Sequence, residues 1–103
     1  MTIAVLYRWR VKPGMEKQFR EGWASGTRAI HAQCGSYGAT LHDGGDGTFW
    51  SYARWPDDGT RKACFSGGGV QSDPGFAIMA EATAETFDEI VLKVVEDLLA
   101  PPT

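Results

Sequence analysis

Apolar and polar residues alternate along the first part of the chain. Ile3, Val5, Tyr7, Trp9 and Val11 fall on one side of a period-2 ribbon, and Ala4, Leu6, Arg8 and Arg10 fall on the other, which is the pattern of a β-strand. Lys12-Pro13-Gly14 breaks the alternation. Met15, Phe19, Gly22, Trp23, Gly26 and Ile30 then recur at helical spacing, with the oppositely charged pairs Glu16/Arg20 and Lys17/Glu21 on the far side. This predicts an amphipathic helix over 13–33, with Pro13 in its first turn, where a missing N–H is no loss. Gly22 and Gly26 each cost about 1 kcal/mol against Ala in a helix interior. Their face therefore either packs closely against the sheet or leaves room for a ligand.

Cys34-Gly35 ends that helix, and two strand-like runs follow over 36–43 and 48–55. The Gly44-Gly45-Asp46-Gly47 segment between them is a hairpin signal. Closing the hairpin there puts Tyr37, Ala39, Leu41, Phe49, Ser51, Ala53 and Trp55 on one face, and Gly38, Thr40, His42, Trp50, Tyr52 and Arg54 on the other. Aromatic residues on both faces imply that both are covered. After Pro56, a short helix is predicted from Asp57-Asp58 to Ser66, stopped by Gly67-Gly68-Gly69. Residues 67–72 read as a flexible segment, a connector or a lid. A second helical stretch begins at Asp73-Pro74, with Phe76, Met79, Ala80, Thr83 and Phe87 inward. Periodicity makes the last element helical through Phe87, Ile90, Val91, Val94, Val95, Leu98 and Leu99, although its β-branched run also suits a buried strand. Residues 100–103 read as a frayed tail.

The 103 residues describe one domain spanning 1–103, with a thin core that association would help to complete. Ten Lys and Arg against thirteen Asp and Glu give a net charge of −3, and the only basic doublet of note is Arg61-Lys62. This argues against nucleic-acid partners and against a polybasic membrane surface. The longest apolar stretch is too short to span a bilayer, and a cytoplasmic protein is expected. Cys34 and Cys64 lack CxxC spacing, so the expectation is a pair of reduced, structural thiols. Two His without ligand spacing leave no expected metal site.

Strand, helix, hairpin, helix and a closing strand would make a ferredoxin-like βαββαβ unit. Tyr7-Arg8-Trp9-Arg10-Val11-Lys12-Pro13-Gly14-Met15-Glu16-Lys17-Gln18-Phe19 resembles the strand-KPG-helix opening of the antibiotic biosynthesis monooxygenase superfamily. Ser51-Tyr52-Ala53-Arg54-Trp55-Pro56 resembles that family's second signature, a strand closing on Trp before the next helix. The likeness runs from Ile3 to about Leu99. It implies an α+β fold with an antiparallel sheet, assembled as a dimeric α/β barrel, and it makes 88–95 a fourth strand. It also implies a homodimer through sheet-to-sheet packing at Leu6, Trp50 and Tyr52, with Arg8, Arg10, Arg54 and His42 nearer the rim.

On the helix side of the sheet, Tyr7, Trp9, Trp23, Tyr37, Ser51 and Trp55 are expected to line a cleft suited to a flat aromatic ligand. Trp23 and Trp55 read first as core and only then as a ligand platform. The family's quinone-forming oxygenases use no metal or flavin: the deprotonated substrate reduces oxygen directly, and an Asn, a Trp, a Tyr and an Arg are credited with orienting it. Trp55 matches that Trp, Ser51 falls where the Asn would be, and Arg61 falls near the Tyr. The chain contains no Asn, which also removes a residue needed by the haem-degrading branch. His31 is the candidate acid or base near neutral pH, or else a helix-end cap, with Tyr7 and Tyr37 as donors to a phenolate. His42 reads as solvated. Two functions stand side by side: a cofactor-independent monooxygenase of a small aromatic or phenolic substrate, polyketide- or quinol-like, and a non-catalytic dimeric barrel that binds a small hydrophobic metabolite. An RNA-binding module fails on acidity and on the missing basic aromatic motif.

Overall fold

A computed structural model describes residues 2–67 and 69–99. The elements are β1 (Ile3–Val11), α1 (Glu16–Cys34), β2 (Ala39–Asp43), β3 (Thr48–Trp55), α2 (Asp58–Ser66), α3 (Pro74–Glu81), β4 (Thr83–Thr86) and β5 (Ile90–Lys93), with a 3₁₀ turn over Val70–Ser72 before α3. The sheet is antiparallel in the order β2-β3-β1-β4, and β5 also pairs with β1. This is an α+β, ferredoxin-like arrangement in which two short strands occupy the place of the fourth.

The alternation read from β1 and β3 is the one that folds. Ile3, Val5, Trp9 and Val11 are buried on the helix side, with Phe49, Ser51, Ala53 and Trp55 beside them from β3. The ladder from Ile3↔Trp55 to Arg10↔Thr48 is unbroken. Each fully buried large side chain, Phe19 and Trp55 among them, contributes about 1.5–3 kcal/mol by leaving water.

Several boundaries differ from the sequence expectation. The helix predicted from residue 13 starts at Glu16, because Pro13 and Gly14 form a turn in which the Met15 N–H donates to the Lys12 carbonyl. It ends at Gly35, whose φ of +72° favours glycine and whose N–H donates to the His31 carbonyl. The strand expected over 36–43 begins only at Ala39. The helix expected to carry Thr83 and Phe87 inward ends at Glu81: Thr83 opens β4, with its hydroxyl on the Met79 carbonyl, and Phe87 follows that strand. The helical periodicity of the last element is overruled by strand pairing of Ile90–Lys93 with β1, and the strand over 88–95 shortens to those four residues. Of the segment 67–72, Val70–Ser72 form the 3₁₀ turn, with Val70 buried in the core, so a packed connector stands there in place of the lid. Gly68 and the tail over 100–103 lie outside the described residues.

Gly22 and Gly26 pack against α3 rather than against the sheet. A Cβ on Gly22 would lie 2.6 Å from the Met79 nitrogen, and one on Gly26 would lie 3.2 Å from the Phe76 ring. The reduced thiols expected of the cysteines are replaced by a bond: Cys34 and Cys64 form a disulfide, tying the end of α1 to α2 across a sequence separation of 30. Their Cα atoms are 5.5 Å apart, a spacing that only the fold creates.

Candidate functional site

The core divides into two clusters. Ile3, Val5, Ala53, Trp55, Cys64 and Val70 form one, and Trp9, Val11, Phe19, Phe49 and Ala82 form the other. Tyr7 packs against both. A cavity of about 160 Å³ opens at this junction, between the sheet and α1, α2 and α3. β1 supplies Tyr7 and Trp9, β3 supplies Ser51, Ala53 and Trp55, and the helices add Trp23, Ile30, Phe65, Phe76 and Met79. Gly22 and Gly26 border the cavity where α1 packs closely on α3.

Five of the residues expected in a cleft thus meet at one cavity: Tyr7, Trp9, Trp23, Ser51 and Trp55. Tyr7 and Trp9 stack with ring centroids 5.9 Å apart. Tyr7 and Ser51 are direct partners across the β1–β3 ladder, which sets their Cβ atoms about 5 Å apart on one face. With Thr27 and Ser36 they are the hydroxyl-bearing residues of a lining that is mostly apolar. Tyr37 does not join them. It sits before β2 and is 60% exposed, beside Arg54 and the chain after β5, because the strand in which it would have faced inward starts two residues later. His31 is also outside the lining. It is exposed on the last turn of α1, with its Nδ1 against the Ser36 carbonyl, and reaches the cavity only through Ser36, which is one of the lining residues.

The sequence marks Arg61 only by its place in the chain, and the structure gives it a larger part. It is 6% exposed, its Nε donating to Asp58 at 2.9 Å and its Nη1 to Glu89 at 2.8 Å. Its positive charge also acts on the Tyr7 phenol. Burial works against the Arg61 charge, but the hydrogen bonds to Asp58 and Glu89 outweigh it and hold the guanidinium firmly charged. Burial raises the Tyr7 phenol above its ordinary value, and Arg61 only partly opposes that, so the phenol is neutral at physiological pH. One signal in the sequence pointed here: Arg61 lies three residues before Cys64, on the same helical face as a core residue.

The opposite face of the sheet carries its own constellation. The Arg8 guanidinium carbon is 4.9 Å from the Trp50 ring centroid and 4.5 Å from that of Phe87, a cation–π sandwich. Arg54 donates to the Tyr52 hydroxyl at 3.0 Å. Among the described residues no group of His, Cys, Asp and Glu is arranged to hold a metal ion, and no helix is long and apolar enough to cross a membrane.

A protein named a "putative antibiotic biosynthesis monooxygenase" from Chloroflexus aurantiacus superposes with a TM-score of 0.74, at 17% identity over 94% of this chain and 97% of that one. SnoaB, a cofactor-independent oxygenase from Streptomyces nogalater, gives 0.76 at 15% identity, over 94% and 96%. The fold is that of the antibiotic biosynthesis monooxygenases. Rv0793 from Mycobacterium tuberculosis shares it as well, at 0.69 and 14% identity, over 96% of this chain and all of that one. No protein-family model and no curated protein matches the sequence.

Proposed function

We propose that the protein is a cofactor-independent monooxygenase acting on a small aromatic or phenolic substrate. The observation that carries this reading is the apolar cavity with Tyr7 and Ser51 side by side in its wall, in a fold shared with a cofactor-independent oxygenase. Trp9, Trp23 and Trp55 hold the ring flat, and the hydroxyls of Tyr7 and Ser51 hold its oxygen. An ionised substrate gives electrons to dioxygen directly. One oxygen atom stays on the ring carbon and the other leaves as water, so the protein's task is to orient the ring, favour the anion and keep water out. Trp55 and Ser51 do this at the cavity, and His31, whose Nδ1 donates to the Ser36 carbonyl, holds that part of the lining in place.

The same reading makes the protein a homodimer through sheet-to-sheet packing. Leu6, Trp50 and Tyr52 lie on the face away from the helices, joined there by Ile90 and Leu92, the register partners of Leu6 and Ala4, each 47% exposed. An apolar strip of this kind on a small chain suits a self-complementary partner.

Oxygen uptake with a panel of anthrones, hydroquinones and flavonols tests the enzyme reading. Uptake above background that falls in Trp55→Ala supports it, and His31→Ala reports whether the histidine contributes. If compounds bind and none consumes oxygen, the protein is instead a non-catalytic carrier of a small hydrophobic metabolite. The absence of any Asn and the position of His31 outside the cavity favour that second reading.

A cytoplasmic site of action belongs to this reading, and the Cys34–Cys64 bond tests it. Disulfides are rare in the cytosol and persist in oxidising compartments. Free thiols in rapidly quenched cells support the cytoplasm, and a bridged pair moves the protein elsewhere.

A further inference from the structure

We infer that the cavity selects a single aromatic ring bearing one hydroxyl, with Tyr7 and Ser51 as the pair that reads the hydroxyl. The inference rests on the cavity being a ligand site, and it adds the size and the polar signature of the ligand.

Size comes first. An apolar cavity of about 150 Å³ is known to accommodate benzene, and the space here is about 160 Å³. That is enough for one ring with a small substituent and too little to enclose three fused rings. The walls are also poorly placed to widen. The Cys34–Cys64 bond fastens α1, which carries Ile30, to α2, which carries Phe65. On the other side, α1 and α3 touch backbone to backbone: a Cβ on Gly75 would lie 2.6 Å from the Gly22 carbonyl oxygen and 2.7 Å from the Gly26 nitrogen. Ridges cannot slide past one another where no side chains separate the helices, so α3 cannot shift outward without breaking this contact.

Polarity comes second. Ser51 is buried, and its ladder partner Tyr7 stands opposite it on the same face. The buried Arg61 guanidinium, anchored by Asp58 and Glu89, brings its positive charge to bear on the Tyr7 phenol. That positive charge only partly opposes the effect of burial, so the phenol keeps its proton and has an O–H to donate. Tyr7 therefore donates to the ligand oxygen, and Ser51, free to rotate, donates or accepts beside it. A buried pair of this kind discriminates against a ligand with no hydroxyl, because its own polar atoms would then go unmet.

Binding to the intact, oxidised protein tests this by quenching of Trp fluorescence, with calorimetry as a check, using toluene, 4-methylphenol, 2-naphthol and anthrone. The expected order has 4-methylphenol at least tenfold tighter than both toluene and anthrone, with 2-naphthol between. Tyr7→Phe reduces the preference for 4-methylphenol over toluene to about twofold, and Ser51→Ala, which leaves the Tyr7 ring and its packing intact, reduces it partially. Anthrone binding as tightly as 4-methylphenol overturns the size selection, as does toluene matching 4-methylphenol for the hydroxyl readout, and the cavity remains a ligand site in either case. Binding of none of the four overturns the cavity as a ligand site, and this inference with it.

Discussion

Gly22 on α1 and Gly75 on α3 meet through their backbones, a Cβ on Gly22 falling 2.7 Å from the Gly75 carbonyl oxygen. In an exposed helix, replacing Gly by Ala stabilises by about 1 kcal/mol. Here the sign reverses, because the added methyl has only backbone to displace, and overpacking of that kind costs about 1–3 kcal/mol. Gly22→Ala is expected to lower the urea midpoint at unchanged slope. A midpoint that rises would mean the two helices separate freely.

The Tyr7 phenol links stability to alkaline pH. Burial raises it above 10.0, with Arg61 only partly opposing the rise. Above pH 10 the unfolded chain gives up this proton while the folded chain keeps it. The contribution is therefore complete below pH 10 and is lost as pH rises towards the folded-state value. Urea midpoints of wild type and Tyr7→Phe measured from pH 9 to 11 are expected to show the steeper decline in wild type. Parallel declines would place the phenol in water.

The Cys34–Cys64 bond closes a loop with a sequence separation of 30. By chain entropy a cross-link of that span contributes about 3–4 kcal/mol. The double variant Cys34→Ser/Cys64→Ser should lose that much in denaturant titration. Wild type treated with a dithiol should match it. Wild type that resists the dithiol and unfolds like the variant would show that the bond does not form.

Dimerisation is read by sedimentation equilibrium. Wild type is expected at twice the 11.2 kDa of one chain, and Ile90→Glu/Leu92→Glu at one chain's mass with its far-UV spectrum retained. Charges placed on an apolar contact lose their water without gaining partners. A double variant that stays dimeric moves the contact away from this face.

The strands that were legible in the sequence are those whose two faces differ. β1 and β3 each alternate between residues that meet helices and residues that do not, and period 2 reports that difference directly. β5 has no such contrast. Ile90, Val91 and Leu92 are apolar on both faces and all are exposed in the single chain, so their spacing fits a helix as well as a strand. Thr83 fits the helical register of α3 and still leaves it, because pairing with Val11 wins over propensity. Within the site, the aromatic residues could be found from strand faces alone. Tyr37 falls outside β2 because the strand read from residue 36 begins only at Ala39. The Arg61 network and the disulfide depend on α2 lying beside α1 and the chain after β4, which no local pattern encodes.

The edge of β1 away from β3 is shared by β4 and β5, and the interval between them follows the strand closely, the Phe87 N–H donating to the Arg8 carbonyl at 3.0 Å. From these few residues Phe87 caps Arg8 on one side of the sheet, and Glu89 holds Arg61 beneath Tyr7 on the other. Any contact that displaces Phe87 also moves the backbone that aims Glu89. Association on the outer face, if it occurs there, and occupancy of the cavity would then draw on one segment, and by linkage each is expected to shift the other by the same factor. Ligand titrations at protein concentrations above and below the association midpoint measure that factor, and identical curves would set it at one.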